Sequence, residues 1–486
     1  MSPRPMPVAA PRPAWPAALL AAAVLAGCAT TLPPTDAPTP AAPAQWSPTP
    51  AQAALPHGGR RDDLQQWWRQ FDDPLLPDLV DAAQGASPNV ASALSRIEQA
   101  RASRVAATAS LLPSLDAEAS AARGRFDLFT PEGTRLGANL NLAWELDLFG
   151  AGRAGRDAAQ ARLEGAAAEW HDARVLVAAE VGQAYVGLRA CEAQLEVVRA
   201  DAASRAEVAR LTAQAANAGF RPPAAAELAR ASAAQGRYLS RLQQQVCDSE
   251  LKALVALTGI DEPALRQRMA ASPSRLPRPA SIAVADVPAQ VLNQRPDLYA
   301  GAQRVVAAAQ DTAQAQALRY PRVGLVGYIG AARYESGPLT LNDTLWSVGP
   351  VQISLPLFDA GTRAANVVAA RARYDEAVSQ YAAQVRQAVR EVEDALLSLQ
   401  GTQARAADAD DAVAGFEASL RATQALYGGG LASLFELEDA RRNALVARRE
   451  LIDLERERVF AWIALYRALG GGWSASADDV PRTAAR

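Results

Sequence analysis

Histidine is almost missing from this chain: its 486 residues contain 2, with 3 cysteines, 3 methionines and only 6% aromatics. His57 lies in a proline-rich tract and His171 in a helical stretch, and neither has a neighbour at metal-ligand spacing. His171 reads as an exposed helix residue. A histidine-based metal centre or acid–base pair is therefore not indicated. No phosphate-binding glycine loop, nucleophile elbow or CxxC pair occurs either, so the chain reads as a non-enzyme with no cofactor or metal site. The formal net charge of −3 is too close to balance to give the electrostatic footprint of a nucleic-acid partner. Proline is absent throughout residues 151–217, which leaves one uninterrupted stretch of 67 residues free to be helical.

What the chain has in abundance is alanine. Half the residues are hydrophobic although aromatics are few, and a helix-forming residue with the smallest packable side chain favours long, close-packed helices. The chain also contains itself twice. Leu148-Phe149-Gly150-Ala151-Gly152 returns 209 residues later as Leu357-Phe358-Asp359-Ala360-Gly361, and Pro88 returns as Pro296, 208 residues on. A near-constant offset means that one architectural unit was duplicated at constant length, which suits a symmetric scaffold.

The first 60 residues are processing and tether. Arg4 and Arg12 precede an apolar run from Ala14 to Ala26, 13 residues long and too short to span a bilayer as a helix. Leu25-Ala26-Gly27-Cys28 resembles a bacterial lipoprotein box, so residues 1–27 read as a signal peptide and Cys28 as the lipid-attachment site, the only covalent group expected. Ala29 in place of an aspartate favours the outer membrane over inner-membrane retention. Residues 28–60 include a proline-rich extended tether between lipid and folded body.

Each repeat carries the same parts. In the first, spanning 88–259, a helix from Pro88 to Leu112 leads into alternating residues. The alternation gives a β-hairpin over 113–149, in which Ala138, Leu140, Leu142, Trp144, Leu146 and Leu148 share one face and Asn139, Asn141, Glu145 and Asp147 the other. A long helix over 151–217 follows, with a seven-residue spacing through Leu163, Trp170, Val177, Ala184, Cys191 and Val198 that reads as a coiled-coil seam. At ~1.5 Å per residue it is roughly 100 Å long. Gly219, Pro222 and Pro223 turn the chain, and a helix over 224–258 stops at Gly259. The two shorter helices, laid end to end, match the long one in length. The second repeat, 296–470, has a helix to Tyr320, strands from Pro321 to Tyr334 and Trp346 to Phe358 within a hairpin region 321–358, a long helix over 362–427 and a last helix over 434–469. Residues 61–87, 260–295 and 471–486 are left as an N-terminal segment, a linker and a tail.

Four strands with one greasy face cannot close a barrel alone, and lipid tolerates no open edge. Oligomerisation is therefore required, and three copies give 12 strands. A soluble sheet packed on the helices is the alternative.

Trp67-Trp68 with Phe71-Asp72-Asp73-Pro74, Trp144-Glu145-Leu146-Asp147-Leu148-Phe149-Gly150, and Arg295-Pro296-Asp297-Leu298 opening the second unit resemble the TolC/OprM outer-membrane factors, in their NodT-type lipoprotein branch. The resemblance covers roughly residues 62–472. It implies a mainly α fold with a membrane β-barrel: a homotrimer with a long α-helical coiled-coil tunnel below a 12-stranded outer-membrane barrel, and 61–87 and 260–295 as equatorial segments. It implies three partners beyond outer-membrane lipid: further copies of itself, a periplasmic adaptor and an inner-membrane pump of the RND type. The function implied is an exit duct for small molecules. A type I secretion duct, an adaptor lipoprotein and a poreless structural coiled coil are the rivals; an adaptor would carry one hairpin rather than two.

By the same resemblance, Glu436 and Asp439 fall where relatives carry acidic rings at the periplasmic gate, and Tyr427 matches a tyrosine that holds the closed state. Ala432 stands where that tyrosine's arginine partner would be. Glu227 is the first repeat's nearest acid, but Arg230 replaces the counterpart of Asp439. A first-turn acid also complements a helix dipole, which is the plainer role for Glu436 and Asp439. Cys191 and Cys247 fall at nearly equal height in a hairpin turning near 219–223, so a disulfide is expected between them, against two buried thiols.

Overall fold

The computed structural model describes residues 32–39, 46, 67–126, 131–272, 275–279 and 289–473. Cys28 and the expected signal peptide lie outside the described residues, as does the tail from 474.

The elements in order are α1 (Leu75–Ala86), α2 (Pro88–Ala109), β1 (Ser114–Gly124), β2 (Gly133–Leu146), α3 (Ala151–Asn217) and α4 (Pro223–Thr258). Then come α5 (Glu262–Ala271), α6 (Pro296–Ala317), β3 (Arg322–Ser336), β4 (Leu339–Ser354), α7 (Thr362–Gly428) and α8 (Leu434–Ala468). The two long helices have 67 residues each.

The antiparallel sheet has the order β1-β2-β3-β4, so the two repeats are joined through β2 and β3. Its register sorts side chains cleanly by face. Ala117, Leu140, Ile329 and Trp346 lie in one row, and Trp144, Leu325 and Val351 in another on the same side. Asp116, Asn141, Tyr328 and Ser347 line up on the opposite side, with Glu118, Asn139 and Gly330 in the next such row. Trp346 is 70% exposed and Ile329 54%. No layer covers this face among the described residues, and β1 and β4 are unpaired edges.

β4 begins at Leu339, seven residues before the expected Trp346, and ends at Ser354 rather than Phe358. Gly337 and Pro338 form a two-residue turn that pairs Ser336 with Leu339, so Leu339-Thr340-Leu341 is already strand. In the linker, α5 forms where no helix was expected. Asp261 caps it by accepting from the Ala264 N–H at 3.3 Å, and Pro263 sits in its first turn, where a missing N–H costs no helical bond.

Strand passes to helix through one device used twice. Gly150 and Gly361 take φ of 82° and 88°, a left-handed conformation that glycine adopts without Cβ strain. Asp147 accepts from the N–H groups of Gly152 and Arg153 at 3.0 and 2.9 Å, and Asp359 from those of Gly361 and Arg363 at 3.1 Å each. The two aspartates are not equivalent positions in the repeat, yet each satisfies the free N–H groups of a long helix.

α3 carries α2 and α4 end to end along one side, as expected from their lengths, and α7 carries α6 and α8. α3 also packs against α6 and α8. Its buried set is accordingly wider than a single seam, adding Ala178, Val186 and Ala190 to the heptad positions. The core is thickest where residues 67–86 wrap the helices. There Trp67 stacks on Trp462 with ring centroids 4.7 Å apart. The Trp68 ring lies 2.6 Å from where a Cβ on Gly182 would sit, so only glycine admits it. Tyr185 donates to Asp73 Oδ2 at 2.6 Å, and Asp73 Oδ1 accepts from the Leu75 N–H at 3.0 Å. His171 is half-buried, edge-on to Trp170, which corrects its reading as an exposed residue. Below this belt Cys191 and Cys247 are joined as a disulfide with Cα atoms 5.5 Å apart.

Candidate functional site

The hairpin tips bring together the turns of both repeats. Proline opens α4 at Pro223, and Ser433 caps α8. The Ser433 hydroxyl accepts from the Glu436 N–H at 3.2 Å, while the Glu436 carboxylate accepts from the Ser433 N–H at 2.6 Å and its hydroxyl at 2.8 Å. This reciprocal capping box satisfies donors that a helix start leaves free. The Ser433 N–H and hydroxyl hold the Glu436 carboxyl below its ordinary value, so it is ionised at neutral pH.

The other acids are engaged locally. Asp439 pairs with Arg442 and accepts from Asn443 Nδ2 at 3.4 Å. Glu227 accepts from Arg230 Nε at 2.9 Å. The two tips thus differ in charge: the first holds an acid matched by its own arginine, whereas Glu436 forms no ion pair with a described residue.

Tyr427 lies at the junction of the two hairpins. Its hydroxyl is 2.9 Å from Thr212 Oγ1 on α3. Its ring lies beneath the Arg221 guanidinium, 4.6 Å from the centroid, and Arg221 also donates to its carbonyl at 3.3 Å. The cation that Ala432 does not supply therefore arrives from the other repeat's turn. Beside it, Leu434 and Leu437 are buried against Ala229.

One turn further in lies a group that sequence reasoning missed. Glu438 accepts from Arg205 Nη1 at 2.5 Å, Ser232 Oγ at 2.8 Å and Arg441 Nη1 at 3.1 Å, and Arg441 also donates to Ser204 at 2.9 Å. Asp201 accepts from Arg205 Nε at 2.7 Å. Arg205 and Arg441 are both nearly inaccessible to solvent. Buried guanidinium groups persist only when paired this fully. The cluster links α3, α4 and α8, so the two hairpins of one protomer meet as one body.

At the level of the wrapped belt, charge is organised differently. Arg295 donates to Asp297 at 2.7 Å, to Glu391 at 2.8 Å and to the Ala468 carbonyl at 3.0 Å. Asp172 on α3 lies near this group, and its carboxyl is pushed up to about 6, first by burial and then by the Asp297 charge; Arg295 and Arg467 oppose the shift and Glu391 adds to it.

Comparison with known proteins agrees with this architecture. The family model described as Outer membrane efflux protein matches residues 79–260 and again 287–471, once on each repeat. Outer membrane protein OprJ of Pseudomonas aeruginosa is 32% identical over 475 residues, covering 94% of this chain and 95% of its own length. The pyoverdine export outer membrane protein OpmQ of Pseudomonas putida is 30% identical, covering 93% and 96%. Among solved structures, the outer-membrane channel OprN superposes with a TM-score of 0.77 at 28% identity, covering 90% of this chain and 100% of its own.

Proposed function

This chain belongs to the outer membrane efflux protein family, and we propose that three copies of it form the exit duct of a tripartite efflux pump. It is an outer-membrane efflux component and not an enzyme. The observation that carries the reading of an assembled barrel is the sheet, with apolar rows on one face, carboxylates and asparagines on the other, and two unpaired edges. In lipid such edges must be closed, and three sheets of four strands supply a 12-stranded barrel. The helices continue the wall below it as a periplasmic tunnel.

In this reading Cys28 is lipidated and adds a second hold on the outer membrane. The hairpin tips dock on a periplasmic adaptor, which connects them to an RND-type inner-membrane pump. Glu436 and Asp439 set a negative potential at the tunnel mouth that favours cations and opposes tight closure, to which Glu227, matched by Arg230, adds little. Tyr427, held by Thr212 and Arg221, steadies the closed arrangement. Export of small molecules is supported by a relative whose name specifies pyoverdine export.

Purified protein in planar bilayers tests the reading. Stepwise ion conductance and heat-modifiable trimers on gels are expected, and a monomer without conductance overturns it. Replacing Glu436→Ala with Asp439→Ala should lower cation preference in the same recordings; unchanged selectivity removes the acidic pair from the mouth.

A further inference from the structure

We propose that adjacent copies are held in register by a seam between α4 of one and α7 of the next. In it Arg241 pairs with Asp411, and Tyr238 seats on the small residues Gly415 and Ala418. The proposal rests on the homotrimeric reading above and assigns the residues that join its copies.

Helix order places the seam. In the lower body α4 packs along α3, α3 along α8, and α8 along α7. The outer helices of each protomer are therefore α4 and α7, and closing a ring of copies sets one against the other.

Side-chain direction selects the residues. On α4, Ala229, Ala233, Gly236, Gln243 and Cys247 are buried towards α3. Helical periodicity then turns Tyr238 and Arg241 to the far side, where Tyr238 is 64% exposed. On α7, buried Leu399 and Thr402 and half-buried Val413 and Leu420 mark the face towards α8. Asp411, Gly415 and Ala418 lie on the opposite face and are exposed.

Height brings the two sets together. Cys191 is bonded to Cys247, Gln194 donates to Asp453, and Arg405 donates to Glu457, which fixes the levels of α3, α4, α8 and α7 in turn. Counting along the helices from those contacts, Arg241 and Asp411 stand within about five residues of each other, roughly 7 Å of rise. That is within the reach of an arginine side chain, and rotation about the tube axis leaves height unchanged. Tyr238 falls level with Gly415 and Ala418 to the same tolerance, so a large ring meets a hollow made by small side chains.

Charge makes the argument independent of shape. Among the described residues neither Arg241 nor Asp411 has a partner. Other charges on the same helices do: Arg230 pairs with Glu227, Arg405 with Glu457 and Arg421 with Glu417. Arg237 on the first outer helix and Asp408 and Asp410 on the last are likewise without a partner among the described residues. Unmatched cations on one outer helix thus meet unmatched anions on the other between copies, and direction and height select Arg241 and Asp411 among them. A pair of this kind fixes register and rejects wrong pairings more than it adds affinity.

The test is an Arg241→Cys with Asp411→Cys double variant, treated with a short bis-maleimide in isolated membranes. Covalent dimers and trimers are expected, and neither single variant should exceed the background from native thiols. A protein that remains trimeric by size yet gives no crosslink overturns the seam and leaves the trimer standing; a monomer by size overturns the trimeric reading itself. Charge exchange provides a second readout. Arg241→Glu should reduce the heat-resistant trimer several-fold, and Arg241→Glu with Asp411→Arg should restore it. Equal loss in both variants counts against the pairing.

Discussion

The wrapped belt of the helical body and the β-sheet belong to one chain, yet they are opposites in self-sufficiency. In the belt, Trp67, Phe71, Leu76, Tyr185 and Trp462 are buried within one chain. In the sheet, every residue of β1 except its last is exposed and β4 is nearly as open. Hydrophobic burial therefore stabilises the helices before any assembly, whereas the strands gain their apolar burial only from lipid and their last hydrogen bonds only from other copies. One chain folds halfway on its own account and leaves the rest to its surroundings.

The sharpest way to break this contrast is to damage the belt. Trp462→Ala removes a fully buried ring and its stacking on Trp67, at a cost of about 3–5 kcal/mol. Loss of helical signal at a lower temperature, in detergent and in lipid alike, is the expected result. Ile329→Arg strikes the sheet instead. Its cost should be about 2–4 kcal/mol in lipid, as for an arginine facing the bilayer interior. Circular dichroism of the helices should be unchanged while recovery of heat-modifiable trimer falls. If both variants fail in the same way, the two regions are not energetically separate.

A smaller effect is expected below the belt. Cys191→Ala with Cys247→Ala opens a loop closed across 56 residues of separation and should cost about 2–4 kcal/mol, read as a lower thermal midpoint with the barrel still assembled. The smallest is Asp172→Asn. The Asp172 carboxyl titrates at about 6 in the fold against 3.8 ordinarily, so the folded state binds the proton more tightly than the unfolded chain. Its stabilising contribution is complete below about pH 4 and lost as pH rises through about 6. The asparagine variant should be more stable at pH 7 by a few degrees at most, and its midpoint should vary less between pH 4 and 6. An unchanged pH profile would remove Asp172 from that role.

Much of this contrast was legible in residue order. A proline-free stretch ending at Gly219 and Pro222 defines α3 almost to the residue, because nothing within it interrupts the helical ladder and both turn residues stop it. The sheet's two faces follow from alternation in β2. The start of β4 was obscured because Asn342-Asp343-Thr344 break the apolar alternation with consecutive polar residues, and only the turn at Gly337 shows that pairing has begun. The short α5 escaped notice because ten residues carry too little periodicity to stand out from a linker.

At the tips, Glu436 was legible as an acid in a first helical turn, whereas its capping partner Ser433 went unread although the box they form is contained in four consecutive residues. Arg221 and Glu438 were hidden for the opposite reason. Their partners lie more than 200 residues away in the other repeat, and periodicity assigns a face but not the residue it meets. The resemblance put the tyrosine's cation at Ala432, in its own turn, whereas the other repeat's turn supplies it as Arg221.

The sheet order has one more consequence. Each chain contributes an even number of strands, with β1 and β4 pointing in opposite directions. Joining the last strand of one copy to the first of another is thus always antiparallel, whatever the copy number. Hydrogen bonding around the rim accepts a ring of any size and cannot count its members. Stoichiometry has to be dictated further down, by the angle at which neighbouring coils lean on one another.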